Sequence, residues 1–396
     1  MNNMNKRTFL SLLLCVCCLS FLHAERVDMQ QAGADVQGRK LNTALINSTI
    51  DRLNAHGGGT LFFPAGTYLT GSIHMKSNIT LELEAGATLK FSENFDDFLP
   101  YVEVRHEGIM MKSFQPLIYA VDAENITIKG EGTLDGQGKA WWTEFFRVLV
   151  DLRDNGKRNI NKYQPMFEKE NDLKALYAET NEDWHGTLDR RFFRPPFIHP
   201  IRCKNVRVEG VKIINSPFWT VNPEFCDNVT IKGITIHNVP SPNTDGINPE
   251  SCKNVHISDC HISVGDDCIT IKSGRDLQAR KLGVPCENIT ITNCTMLSGH
   301  GGVVIGSEMS GSVRKVTISN CVFDGTDRGI RIKSTRGRGG VVEDIRVSNV
   351  VMSNIKQEAV VLNLKYSKMP AEPKSERTPI FRNVHISGMT VTDVKT

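Results

Sequence analysis

The chain has 396 residues, 40% of them hydrophobic and 23% charged, with a formal net charge of +3 at pH 7. That balance suits a globular protein with a large core. It excludes binding of nucleic acid or membrane through an overall field, so any preference for acidic ligands must come from local charge.

Residues 1–24 read as a secretory signal. Lys6 and Arg7 form a basic start, residues 9–22 an apolar run, and Leu22-His23-Ala24 offers a small residue at a cleavage point. The run is too short for a comfortable membrane span, and no later stretch resembles one. Cys15, Cys17 and Cys18 lack the small preceding residues that a lipid anchor requires. The product is expected to be exported, to a periplasm or outside the cell.

Residues 25–396 read as one solenoid. The helical pattern of residues 41–55 precedes GGGTLFFPAGTY and is expected to cap the first coil, because an open coil end exposes unpaired strand edges. A short motif then recurs: NITLEL at Asn78, NITIKG at Asn125, NVRVEG at Asn205, NVTIKG at Asn228, NVHISD at Asn254 and NITITN at Asn288. KVTISN at Lys315, DIRVSN at Asp344 and NVHISG at Asn383 continue it. The compact copies are 23, 26, 34, 27 and 29 residues apart. Each is a β-branched strand of period two followed by a turn, and such a unit buries its apolar face only by stacking on its neighbours. The expected fold is all-β, a right-handed parallel β-helix.

Residues 139–195 break the pattern, from WWTEFF to DRRFFRPP, and are expected to be a partly helical insertion on one face. The chain stops at Thr396 soon after a repeat begins, with no obvious C-terminal cap, which suggests truncation. Of the eight cysteines after residue 24, Cys203, Cys226, Cys252 and Cys286 precede the motif, while Cys260, Cys294 and Cys321 follow it. Stacked coils lie about 4.8 Å apart, within disulfide reach. A ladder of small core thiols is the preferred reading over bridges.

The last three cysteines set a register in which SVGDDCITIKS lies over LSGHGGVVIGS and then over GTDRGIRIKS. Asp266 then stacks on His300, and Thr270 on Val304 and Arg331. Lys272 aligns with Gly306 and Lys333, while Ile269, Val303 and Ile330 form a core stack. One coil earlier, Asp245 of SPNTDGINPE aligns with Asp267 if residues 240–243 absorb the extra length. Alternation sends Asp266, His300, Arg331 and Lys333 outward but Asp267 inward. Gly265, Gly299, Gly301 and Gly302 are expected to leave the backbone open to a ligand. Singly, each residue has an ordinary explanation: a turn Asp, a solvated strand end, a structural histidine, a basic stripe. Independent charges have no reason to converge on one patch, and clustered carboxylates raise at least one pKa.

Hydrolysis of a glycoside with inversion wants one protonated and one ionised carboxyl, about 6.5–9.5 Å apart, and adjacent coils bracket that separation. Arg331 and Lys333, two apart on one strand, suit a sugar carboxylate. PNTDG, GDDC, GHGG and RIKS, in this order, resemble the polygalacturonases of glycoside hydrolase family 28, and the likeness covers nearly all of residues 25–396. GHGG alone would be weak; the four together are specific.

The resemblance implies an inverting cleavage of α-1,4-galacturonosyl bonds in an acidic plant polysaccharide, with no metal and no other cofactor; a monomer is expected. It implies Asp266 as general acid, Asp245 and Asp267 as holders of the attacking water, and His300 as tuner of the acid. Arg331 and Lys333 become galacturonate ligands, and Asn243 a support for Asp245. VVIGSEMSGSV and RGIRIKSTRGRGG look more like exo-acting members, and the insertion could wall off one cleft end. Arg336 and Arg338 are either a further carboxylate site or a solvated loop. A calcium-dependent pectate lyase and a non-catalytic glycan-binding β-helix are the alternatives.

Overall fold

The computed structural model describes residues 25–157, 160–370 and 372–395. The proposed signal at residues 1–24 lies outside them. Among the described residues no helix is long and apolar enough to cross a membrane. The repeat motifs form a parallel sheet in which each strand pairs with the next coil, from Gly59–Phe63 and Ile79–Leu83 through Lys253–Ser258 to Ile380–Val391. The apolar position of each motif falls on that of the next. Leu61, Leu81, Ile128, Val208, Ile231, Ile257, Ile291, Ile318, Val347 and Ile386 make one continuous file. The architecture is the right-handed parallel β-helix expected from the repeat.

The leading Asn of the motif has its own physical cause. Asn125, Asn205, Asn228, Asn254 and Asn288 all sit at φ between 55° and 59°, where Asn is the usual substitute for Gly. Their side chains also form a ladder: Asn205 donates to Asn125, and Asn228 to Asn205, both at 2.8 Å. The corner residue therefore turns the chain and ties it to the coil below.

A helix α1 (Thr43–Ala55) forms where the apolar spacing predicts it. It buries Ile46, Ile50 and Leu53 against the first coil. The 139–195 segment carries four helices, α2 (Lys139–Asn155), α3 (Tyr163–Glu170), α4 (Leu173–Glu179) and α5 (Glu182–Leu188). A hairpin of Val102–His106 and Ile109–Ser113 packs its Val104, Ile109 and Met111 in a separate cluster with Phe167 and Trp184 of that segment.

A second sheet runs up the molecule through Asp267–Ile271, Gly301–Ile305, Ile330–Lys333 and Val360–Asn363. Single bridges extend it backward, Ile269 to Ile247, Ile247 to Val221 and Val221 to Ile198. This sheet carries the acidic and basic motifs.

All eight cysteines of the described residues are buried free thiols. The files they occupy continue as Val313 and Val342 above Cys286, and as Val350 above Cys321, so the positions ask for a small apolar group rather than for sulfur. Thiol titration of the chain unfolded without reductant should therefore find eight thiols over residues 25–396. Each bridge present would lower that count by two.

Candidate active site

The register places the charges. Asp267 lies opposite Gly301, Thr270 opposite Val304 and then Arg331, and Glu250 opposite Lys272. Asp245, two residues before Ile247, falls in line with Asp267, as expected. The carboxylates of Asp245, Asp266 and Asp267 converge until one oxygen of each lies within 4.8 Å of the others.

Strict alternation fails at Asp267. Cys268 and Ile269 both enter the core, so the alternation skips a step. After the bend at Gly265 and Asp266, Asp267 joins Thr270 and Lys272 on the outer face rather than pointing inward. Its Oδ2 accepts from Lys333 Nζ at 2.7 Å, and Oδ1 lies 4.0 Å from Arg331 Nη1. Asp267 Oδ1 is otherwise buried and without a hydrogen bond.

The glycines answer to the packing of the coils. A Cβ at Gly265 would overlap the Ser241 carbonyl, and one at Gly299 would sit 2.8 Å from Cys268 Sγ. The coils approach too closely there for any side chain.

Asp266 is surrounded by donors. Oδ1 lies 3.0 Å from His300 Nδ1 and accepts from the Asp267 amide at 3.0 Å. Oδ2 accepts from Asn243 Nδ2 at 3.4 Å, so Asn243 serves Asp266 rather than Asp245. Asp245 is buried, accepts from Thr270 Oγ1 at 3.3 Å and lies 3.7 Å from Lys272 Nζ.

Environment splits the acids. Burial, then the charges of Asp266 and Asp267, push Asp245 well above the usual carboxylate range against the pull of Lys272. Burial also lifts Asp266, but the His300 hydrogen bond and the charges of Lys333, His300 and Lys272 outweigh it and leave it lowered. His300 is raised in return, chiefly by that same hydrogen bond. Asp245 and Asp266 titrate as a coupled pair, with Asp245 the more basic and Asp266 the more acidic of the two.

Sequence reasoning overlooked several groups. Lys272 is buried between Glu308, 2.8 Å away, and Asp245, with its ammonium 4.5 Å from the Trp219 ring centre. Glu308 also receives Arg338 Nη1 at 3.0 Å. Arg338 is buried on that carboxylate, so it is no solvated loop residue, and Arg336, half-buried, donates Nη1 to the Glu372 carbonyl. Tyr366 lies 5.0 Å from Lys333 Nζ and 5.6 Å from the Arg331 guanidinium. A pocket opens over the trio, walled by Lys333 and Tyr366 on one side and by Asp183 and Trp184 of α5 on another. His300 is half-exposed beside it.

A family model described as "Glycosyl hydrolases family 28" matches residues 184–396. A probable polygalacturonase of Vitis vinifera is 32% identical over 84% of this chain, which spans 62% of that relative's length. An endo-polygalacturonase of Pectobacterium parmentieri is also 32% identical, over 83% of this chain and 74% of its own length. The structure of a hyperthermoactive exopolygalacturonase from Thermotoga maritima superposes with a TM-score of 0.81 at 37% identity, covering 94% of this chain and 82% of that one.

The split between the acids is directly observable. In a carboxyl NMR pH titration Asp245 should take up its proton at higher pH than Asp266, and Asp245→Asn should remove that earlier step. Asp266 protonating first would contradict it.

Proposed function

The chain belongs to the glycosyl hydrolases family 28, and from that premise we propose that it hydrolyses α-1,4-galacturonosyl bonds of pectin, releasing galacturonate from chain ends. The observation that carries this reading is the meeting of three carboxylates with Lys333 and Arg331 in one walled pocket. A carboxylate trio supplies acid and base chemistry, and the adjacent cations select a uronate over a neutral sugar.

In this reading Arg331 and Lys333 grip the galacturonate carboxylate, and Tyr366 lies along both. Asp266 donates its proton to the glycosidic oxygen. Asp245 and Asp267 hold the attacking water and take its proton. As the substrate seats, Asp245, the more basic acid, passes its proton to Asp266 across carboxylate oxygens within 4.8 Å of one another, and is thereby ionised to take the proton of the attacking water. His300 keeps the acid oriented through Asp266 Oδ1. Lys272 and Glu308 fix Asp245 from behind and contribute a field that needs no reorganisation.

The exo mode rests on α5. Asp183 and Trp184 belong to the 139–195 insertion and stand in the pocket wall, which favours a chain end over a chain interior. Residues 1–24 suit an exported protein acting on extracellular polysaccharide.

The acidic trio could in principle hold a cation such as calcium. Calcium wants six to eight oxygens. Here Lys333 stands 2.7 Å from one of the carboxylates and Lys272 3.7 Å from another, which opposes a divalent ion electrostatically. The donor set fits a metal poorly.

Asp266→Asn should lower kcat on polygalacturonate by roughly 10²–10⁴-fold with the fold intact. Undiminished activity would remove the acid role. Digestion should release free galacturonate from the first minutes, as its β-anomer by NMR. An early ladder of long oligomers would contradict end-wise cutting, and an initial α-anomer would contradict inversion. EDTA should leave the rate unchanged, whereas loss of activity with unsaturated products would indicate a metal-dependent lyase.

A further inference from the structure

The stretch DRRFFRPP, which closes the helical insertion, contributes a residue that no part of the reaction above uses. Arg194 is buried, and its guanidinium lies over the rings of Phe145, at 4.1 Å, and Phe218, at 5.2 Å. Such burial is costly for a cation, and it draws the group's pKa down to about 9. The ion stays because its fork is occupied. Nη1 donates to the carbonyls of Pro217 and Pro242 at 3.0 and 2.7 Å, and Nη2 donates to Asn243 Oδ1 at 2.8 Å.

The last bond carries information. A guanidinium only donates, so the Asn243 atom facing it must be the amide oxygen. The amide nitrogen is then turned the other way, and it is this nitrogen that meets Asp266 Oδ2 at 3.4 Å. We propose that Arg194 is a positioning residue: by fixing the amide of Asn243 and the 240–243 turn, it aims one donor at the general acid and couples the insertion to the reacting centre.

Asp266 therefore has a donor on each oxygen, His300 on Oδ1 and Asn243 on Oδ2. The charged groups facing it are Asp267 and Lys272 from its own strand, Asp245 from the coil before, His300 and Lys333 from the coils after, and Arg194 from the insertion. Losing the Asn243 donor removes a contact that favours the carboxylate, so the acid should keep its proton to higher pH. It also frees the carboxyl to turn away from the glycosidic oxygen. Arg194 is not among the pocket-lining residues, so substrate affinity should not depend on it.

The inference rests on Asp266 being the general acid, and one set of variants separates the two. Arg194→Gln and Asn243→Ala should each lower kcat about tenfold, and Arg194→Gln should leave KM within about twofold, Asn243 alone of the two being a pocket-lining residue. Each should move the alkaline limb of kcat, which reports the acid in the enzyme–substrate complex, to higher pH. In the Asn243→Ala background, Arg194→Gln should cost less than about twofold more, because the relay is already cut. An equal cost in both backgrounds would overturn the proposal. If Arg194→Gln fails to fold, Asn243→Ala decides alone, and an unmoved alkaline limb overturns it. Asp266→Asn is the control: activity retained there indicts the acid assignment, whereas activity lost with additive Arg194 and Asn243 effects indicts the relay.

Discussion

The constraint on which everything depends is parallel, in-register stacking. A strand pairs with the equivalent residues of the next coil, so in the coils that carry the site, positions 22 to 34 residues apart in sequence come to lie one strand spacing apart in space. The Asn corners hold that register by turning the chain at positive φ and bonding coil to coil, and the aliphatic files hold it by burial. A slip of one residue would send the core files outward. Chemistry built on such a ladder is fixed by the same contacts that fix the fold.

Three carboxylates this close oppose folding, and the surroundings show how the cost is offset. Lys333 binds Asp267 and Lys272 lies by Asp245. Glu308 balances Lys272, and Arg338 balances Glu308. Charges of alternating sign run from the pocket floor into the protein, mostly buried, so each is held by neighbours rather than by water. Arg331 is the member with the longest ion-pair distance, 4.0 Å, which leaves its guanidinium with capacity for an anionic ligand.

Much of this was legible in the sequence because a repeat acts as a ruler. The pairing of Asp266 with His300, Thr270 with Arg331 and Asp245 with Asp267 follows from counting residues between motifs. The direction of Asp267 did not follow, because Cys268 and Ile269 both turn inward and alternation alone has no sign for that. The glycines have a packing cause that the sequence did not show: closeness of a coil and openness to a ligand predict the same residue. Lys272 stood in the right register but was passed over as the outward end of a strand. Trp219, Glu308, Arg338, Tyr366, Asp183 and Arg194 reach the site from other coils, turns and the insertion, whose placement no period dictates. The Asn of each motif was visible as a repeat, but its ladder and backbone conformation were not.

The most direct test of the account is a crystal structure of Asp266→Asn with bound digalacturonate. The account predicts one galacturonate carboxylate on Arg331 and Lys333, with the linking oxygen within hydrogen-bond reach of the side chain at position 266. A disaccharide seated away from the Asp245, Asp266 and Asp267 pocket, or with that oxygen facing none of them, would contradict it.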